Sequence, residues 1–260
     1  IGMDSLQLGI IGCGAIGTDV AVAADHMEEI EAIYLHDVDT TKAAELADTV
    51  TKATVASFED FLGRVDLVFE AASHDAVREY AERVIEADTD LIIMSIGGLL
   101  DDELRERLRA KARRHRCTIY LPSGAVCGID GVKAAHHADL DEVTLVTTKS
   151  PESLGRDLDR RTIIFEGKAR DAVEYLPKNV NVAACLSLAG VGFDRTRVKV
   201  VADPVVKTNS HKVLAHGDFG RLRAEVENLP NPGNPKSSYL ASLSAIATLR
   251  RAIDPIQIGA

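Results

Sequence analysis

The chain has 260 residues, 46% of them hydrophobic and 27% charged, which is enough for a sizeable core in one or two domains. Its 30 Lys and Arg against 40 Asp and Glu leave a formal net charge of −10, so with no dense basic block no nucleic-acid partner is expected. No apolar run approaches about 18 residues, so no membrane span is expected, and Cys13, Cys117, Cys127 and Cys185 are too scattered for a zinc site or a disulfide framework.

Ile1-Gly2-Met3 carries neither a basic n-region nor an apolar h-region. Met3 is therefore expected as the native start, without a signal peptide. These features together predict a reduced, cytoplasmic protein without a bound metal.

From residue 8 to residue 121 short apolar runs alternate with longer helical periods. The pattern predicts strands over 8–11, 30–35, 66–70, 91–95 and 118–121, with helices over 15–26, 41–49, 75–87 and 100–115. Apolar strands separated by helices imply a parallel sheet covered on both faces. After Pro122 the pattern changes to short, half-exposed strands over 142–148, 162–165, 198–202, 212–215 and 221–227. Few helices accompany them, over 125–137 and 181–188, so a mostly antiparallel sheet is expected. A Pro/Gly/Asn loop over 229–235 then breaks the pattern before a helix over 237–253.

Gly12-Cys13-Gly14-Ala15-Ile16-Gly17 is G-x-G-x-x-G directly after the first strand and directly before the first helix. Gly12 suits a tight turn, Gly14 a close backbone approach to pyrophosphate, and Gly17 close helix–strand packing. Asp37 follows 20 residues after Gly17, at the end of the second strand, where a carboxylate binds the adenosine ribose. It would repel a 2′-phosphate, so NAD is expected over NADP; Lys42, the nearest following cation, softens that preference. His36 is expected to face solvent. The fold class predicted is α/β: a doubly wound Rossmann domain over 3–122, then a second α/β domain with a mixed or antiparallel sheet over 123–235. A C-terminal helix within 236–258 is expected to pack back on the first domain.

The later motifs are more specific than the glycine loop. Ala71-Ala72-Ser73, Leu121-Pro122-Ser123-Gly124-Ala125, Lys178-Asn179-Val180-Asn181, Ala202-Asp203-Pro204, Asn209-Ser210-His211 and Asn231-Pro232-Gly233-Asn234-Pro235-Lys236 follow one another in this order. Over nearly its whole length the chain resembles the L-aspartate dehydrogenases. The resemblance implies NAD(P)-dependent oxidative deamination of L-aspartate to iminosuccinate, which hydrolyses to oxaloacetate and ammonia and can feed NAD synthesis. It places nicotinamide-side contacts on Ala125 and Asn181, further cofactor contacts on Ala72 and Ser73, and the catalytic histidine on His211. Lys149-Ser150-Pro151 departs from the Lys-Pro-Pro run expected there.

Removing a hydride from an amino acid needs a proton-handling base and cations for the carboxylates. His211 suits the base, since an unperturbed imidazole titrates near 6.5. His74 competes, because it follows the strand at 66–70 on the ligand-binding side of the sheet. His136 and His137 read as helix-end residues and His216 as surface. Lys149 at a strand end and Lys236 at a helix start are the expected carboxylate clamps, with Asn209 beside the substrate and Lys207 a weaker candidate. Arg160-Arg161 reads as an exposed basic patch and Cys127 as a space-filler.

Reductases of the dihydrodipicolinate type, homoserine dehydrogenases and a non-catalytic NAD-sensing protein remain as alternatives. A homodimer through the open face of the second sheet is expected.

Overall fold

The computed structural model describes residues 5–176 and 181–259, apart from the side chains of Glu174, Pro235 and Lys236. The chain divides into two compact units. One runs through Pro122 and takes in Ala245–Ile256; the other holds Ser123–Ser244 with the tail from Gln257.

In the first unit, strands β1 (Leu6–Ile11), β2 (Ile30–His36), β3 (Ala53–Val55), β4 (Leu67–Glu70), β5 (Asp90–Ile93) and β6 (Ile119–Tyr120) alternate with helices. The helices are α1 (Ala15–Asp25), α2 (Thr40–Ala47), α3 (Phe58–Phe61), α4 (His74–Glu86) and α5 (Asp102–His115). The strand order is β3-β2-β1-β4-β5-β6 and every pairing is parallel. This is the doubly wound arrangement, with its topological switch between β1 and β4. The short apolar runs read as strands because they are buried on both faces: all four residues of β4 and the last four of β1 are buried.

Helix starts follow local chemistry. Asp39, Ser57, Ser73 and Asp101 each accept a backbone N–H of the first turn, each worth about 1 kcal/mol. The three-residue β3 and the one-turn α3 are absent from the apolar pattern because they are too short to show a period.

In the second unit, α6 (Ile129–Ala135), β7 (Leu140–Lys149), β8 (Thr162–Lys168), α7 (Ala169–Tyr175), α8 (Asn181–Ala189), β9 (Arg197–Ala202), β10 (Asn209–Gly217) and β11 (Gly220–Asn228) follow in order. The sheet order is β11-β10-β7-β9-β8. It is less antiparallel than the strand-rich pattern suggested, because β7 and β9 run parallel. Parallel neighbours need a long crossover, and the segment between them carries β8, α8 and the unanticipated α7.

On one face the sheet presents Val143, Leu145, Val198, Val200, Val213 and Ala215, all buried. The expected loop over 229–235 is instead a two-stranded ribbon, β12 (Pro230–Asn231) with β13 (Asn234–Ser238). Asn231 Oδ1 accepts the N–H groups of Gly233 and Asn234 at 2.7 and 3.1 Å and makes the turn. Helix α9 (Tyr239–Ile253) follows, and Arg250 within it lies 3.6 Å from Glu29. No helix among the described residues is long and apolar enough to cross a membrane.

Candidate active site

The glycine loop joins β1 to α1, with Gly14 as the residue preceding the first helical turn. Gly12 has φ +98°, and a Cβ there would stand 2.7 Å from the carbonyl of Ala71, so no other residue fits. A Cβ on Gly17 would collide with the Gly12 carbonyl oxygen, whereas one on Gly14 would meet nothing within 4 Å. Gly14 therefore leaves its backbone open to an incoming group, beside the unsatisfied N–H groups of α1.

A cavity of about 420 Å³ opens here, lined by Gly12, Gly14, Asp37, Val38, Lys42, Ala72 and Ser73 among others. It has the size and the donor set for part of a dinucleotide. Asp37 Oδ2 accepts Cys13 N–H at 2.7 Å and Oδ1 accepts Asp39 N–H at 2.9 Å. The carboxylate thus pins the glycine loop to the end of β2 while keeping about half of its roughly four acceptor positions. Lys42 lines the same cavity and lies 3.7 Å from Asp39. Ala15 and Ile16 are the first residues of α1. Cys13 is buried, and burial raises its thiol to about 12, so it stays protonated.

Two side chains here depart from the sequence reading or escape it. His36 does not face solvent: its ring lies 5.8–6.5 Å from the rings of Phe58, Phe61 and Tyr80. An alternating strand places it on the face that α3 and α4 cover. Glu70 was missed. Its Oε1 accepts Ala72 N–H (2.8 Å), Ser73 N–H (3.0 Å) and Ser95 O–H (2.8 Å), and its Oε2 accepts Ser95 N–H (3.0 Å). Burial pushes this carboxyl up against the pull of those four donors. Glu70 sets the Ala71-Ala72-Ser73 segment against the glycine loop. The only trace in the sequence is an acid ending the apolar run Leu67-Val68-Phe69.

In the second unit the ladders assemble a polar group on the buried sheet face. β10 pairs with β7 so that His211 stands opposite Thr147 and Ser210 opposite Thr148. Asn209 and Lys149 flank the latter pair on the buried side. His211 Nδ1 and Thr147 Oγ1 are 2.9 Å apart. His211 is 4% exposed, Lys149 8% and Asn209 8%. His211 is the third residue of its strand, so packed neighbours fix its ring on both sides.

Burial, and secondly the charge of Lys149, lower the imidazole from 6.5 to about 3. Burial also holds the Lys149 ammonium below the ordinary lysine range. A buried neutral imidazole, a hydroxyl and a lysine ammonium can together bind an acidic ligand and accept a proton from it.

The remaining candidates scatter. Ala125 is buried, and its carbonyl accepts Asn228 Nδ2–H at 3.0 Å. Asn181 begins α8. Lys178 and Asn179 lie outside the described residues. Lys236 sits in β13, not at a helix start, because the Asn231 turn extends the chain there, and its side chain lies outside the described residues. Lys207 is exposed in a turn. Arg160 and Arg161 are both exposed, as expected, and Arg161 lies 3.3 Å from Asp203. His74 is the first residue of α4. His216 is exposed, 3.4 Å from Asp141 and 3.2 Å from Glu142.

Residues 12–122 match the family described as homoserine dehydrogenase, NAD binding domain, and residues 130–252 match aspartate dehydrogenase, C-terminal. L-aspartate dehydrogenase of Methanosarcina acetivorans is 45% identical, covering 98% of this chain and 99% of that protein. The enzyme of the same name from Nitrosopumilus maritimus is 39% identical, covering 97% of this chain and 99% of that protein. Among solved structures, aspartate dehydrogenase from Thermotoga maritima superposes with a TM-score of 0.82 at 29% identity, over 98% of this chain and 99% of that one. Dihydrodipicolinate reductase from Paenisporosarcina reaches a TM-score of 0.55 at 11% identity, over 96% of this chain and 93% of that one, which is a likeness of fold alone. The chain belongs to the L-aspartate dehydrogenase family.

Proposed function

We propose that the chain oxidises L-aspartate with NAD(P) to iminosuccinate, which water converts to oxaloacetate and ammonia. The observation that carries this reading is the buried His211–Thr147–Lys149 group in a chain of this family. The cofactor, when bound, supplies the hydride acceptor.

The glycine loop and the N-terminus of α1 receive the pyrophosphate, with Ala72 and Ser73 beside it, and the unused acceptor positions of Asp37 take ribose hydroxyls. Ala125 and Asn181 are assigned to the nicotinamide. Lys149 holds a substrate carboxylate; Asn209 lies beside it, and Lys236 is the second clamp. His211 takes a proton at Nε2 from the substrate amine, passes it to solvent, and then takes one from the water that attacks the imine, while Nδ1–H donates to Thr147 Oγ1. Iminosuccinate released by this chemistry is a precursor for NAD synthesis.

We also propose a cytoplasmic homodimer. Thr144, Val146 and Leu214 are half-buried on the sheet face opposite the site, a surface that a second copy would cover; sedimentation as a monomer at micromolar concentration would exclude it.

Two substitutions test the assignments. Lys149→Ala should raise the KM for L-aspartate by roughly tenfold or more, since a charge-assisted hydrogen bond contributes about 1.5–3 kcal/mol, with the KM for NAD unchanged. An unaltered aspartate KM removes Lys149 from the substrate site. Asp37→Ser should narrow the NAD:NADP ratio of kcat/KM by removing like-charge repulsion, and an unchanged ratio takes Asp37 off the ribose. The overall reaction is checked by stoichiometry: NADH, oxaloacetate and ammonia should appear in equal amounts, and NADH without ammonia contradicts it.

A further inference from the structure

Asn228 ends β11 on the same sheet face as His211, directly opposite Asn209 in the β10–β11 ladder. It is 2% exposed. Its Nδ2–H donates to the Ala125 carbonyl at 3.0 Å. A carbonyl can only accept, so this bond fixes which way the amide points. The other end, Oδ1, is buried and has no hydrogen-bond partner among the described residues. A buried acceptor with no donor from the chain takes one from outside it, a water or a bound ligand.

We propose that Asn228 Oδ1 accepts a hydrogen bond from the amino nitrogen of the bound substrate. This rests on the reading that the second unit handles an amino-acid substrate. The site side chains His211, Thr147, Lys149 and Asn209 include no carboxylate, and Lys149 makes the site a poor place for a second cation. An amino group must be neutral before its carbon can give up a hydride, because the nitrogen lone pair forms the C=N bond as the hydride leaves. A neutral amide oxygen suits that neutral form, whereas a carboxylate would hold the substrate as ammonium. Asn228 thereby favours a substrate with a hydrogen-bond donor on the carbon being oxidised.

The test compares L-aspartate with succinate, which has both carboxylates and no amino group. In Asn228→Ala the KM for L-aspartate should rise about tenfold, while the inhibition constant of succinate stays within about twofold of wild type. Equal losses for both ligands would reduce Asn228 to holding Ala125 in place and overturn the proposal. No loss for either, or a loss confined to the KM for NAD, would overturn it as well. If the alanine variant does not fold, Asn228→Val, which suits a strand and offers no acceptor, carries the same comparison. Wild type that is silent on L-aspartate contradicts the substrate reading instead; the comparison then uses the amino acid that it does oxidise and the deaminated analogue of that acid.

Discussion

His211→Ala should lose about 10²–10⁴-fold in kcat with L-aspartate, the range that a positioned general base supplies. NAD affinity should survive, because Gly12, Gly14 and Asp37 belong to the other unit. Thr147→Val should lose less, since it frees the ring without removing it. An imidazole of ordinary basicity would place an acidic limb near pH 6.5 in the kcat/KM profile. Burial beside Lys149 moves His211 to about 3, so that limb should be missing from the free enzyme. A His211→Ala enzyme that keeps most of its kcat ends this assignment, and His74 is then the residue to replace.

The same burial ties stability to acid. An unfolded histidine takes up its proton near 6.5 and folded His211 only near 3, so between those values the unfolded chain binds more protons. Stability should therefore be fully present above about pH 6.5 and fall as the pH drops towards 3, by up to about 5 kcal/mol. The carboxylates of Asp25, Glu142 and Asp194 are also held below their ordinary values of 3.8 to 4.5, and their contribution is lost as the pH falls below those values. Comparing urea unfolding of wild type and His211→Gln at pH 7.5 and pH 5 separates the two effects. The variant should lose distinctly less between the two pH values. Parallel losses would show that His211 does not titrate in this way.

The sequence displayed the candidate cofactor loop of the first unit almost completely, because its parts are local. Gly12, Gly14 and Gly17 fall within one six-residue stretch, Gly12 and Gly17 at close backbone approaches and Gly14 where a Cβ would meet open space, and Asp37 follows at the end of the next apolar strand. Alternating runs also conveyed the parallel sheet, since strands buried on both faces carry unbroken apolar residues.

The buried polar group of the second unit depends on register. Thr147 and His211 are 64 residues apart, and only the pairing of β7 with β10 brings them together, which no short-range pattern records. Glu70 escaped because a single buried carboxylate at a strand end looks like the start of a loop. Lys236 was misplaced because its Asn/Pro/Gly surroundings suggest a helix boundary, whereas the Asn231 turn makes a ribbon there. Family likeness, carried by Asn209-Ser210-His211 and its neighbours, supplied what periodicity could not.

Oxidation of L-aspartate in particular separates this chain from other dehydrogenases of the same fold. The most direct measurement follows absorbance at 340 nm with purified protein, NAD and each proteinogenic L-amino acid in turn. L-aspartate should reduce NAD at a rate well above every other amino acid, with homoserine added to the panel giving none. Absence of reduction with L-aspartate, or a faster rate with an amino acid that lacks the second carboxylate, would contradict the account.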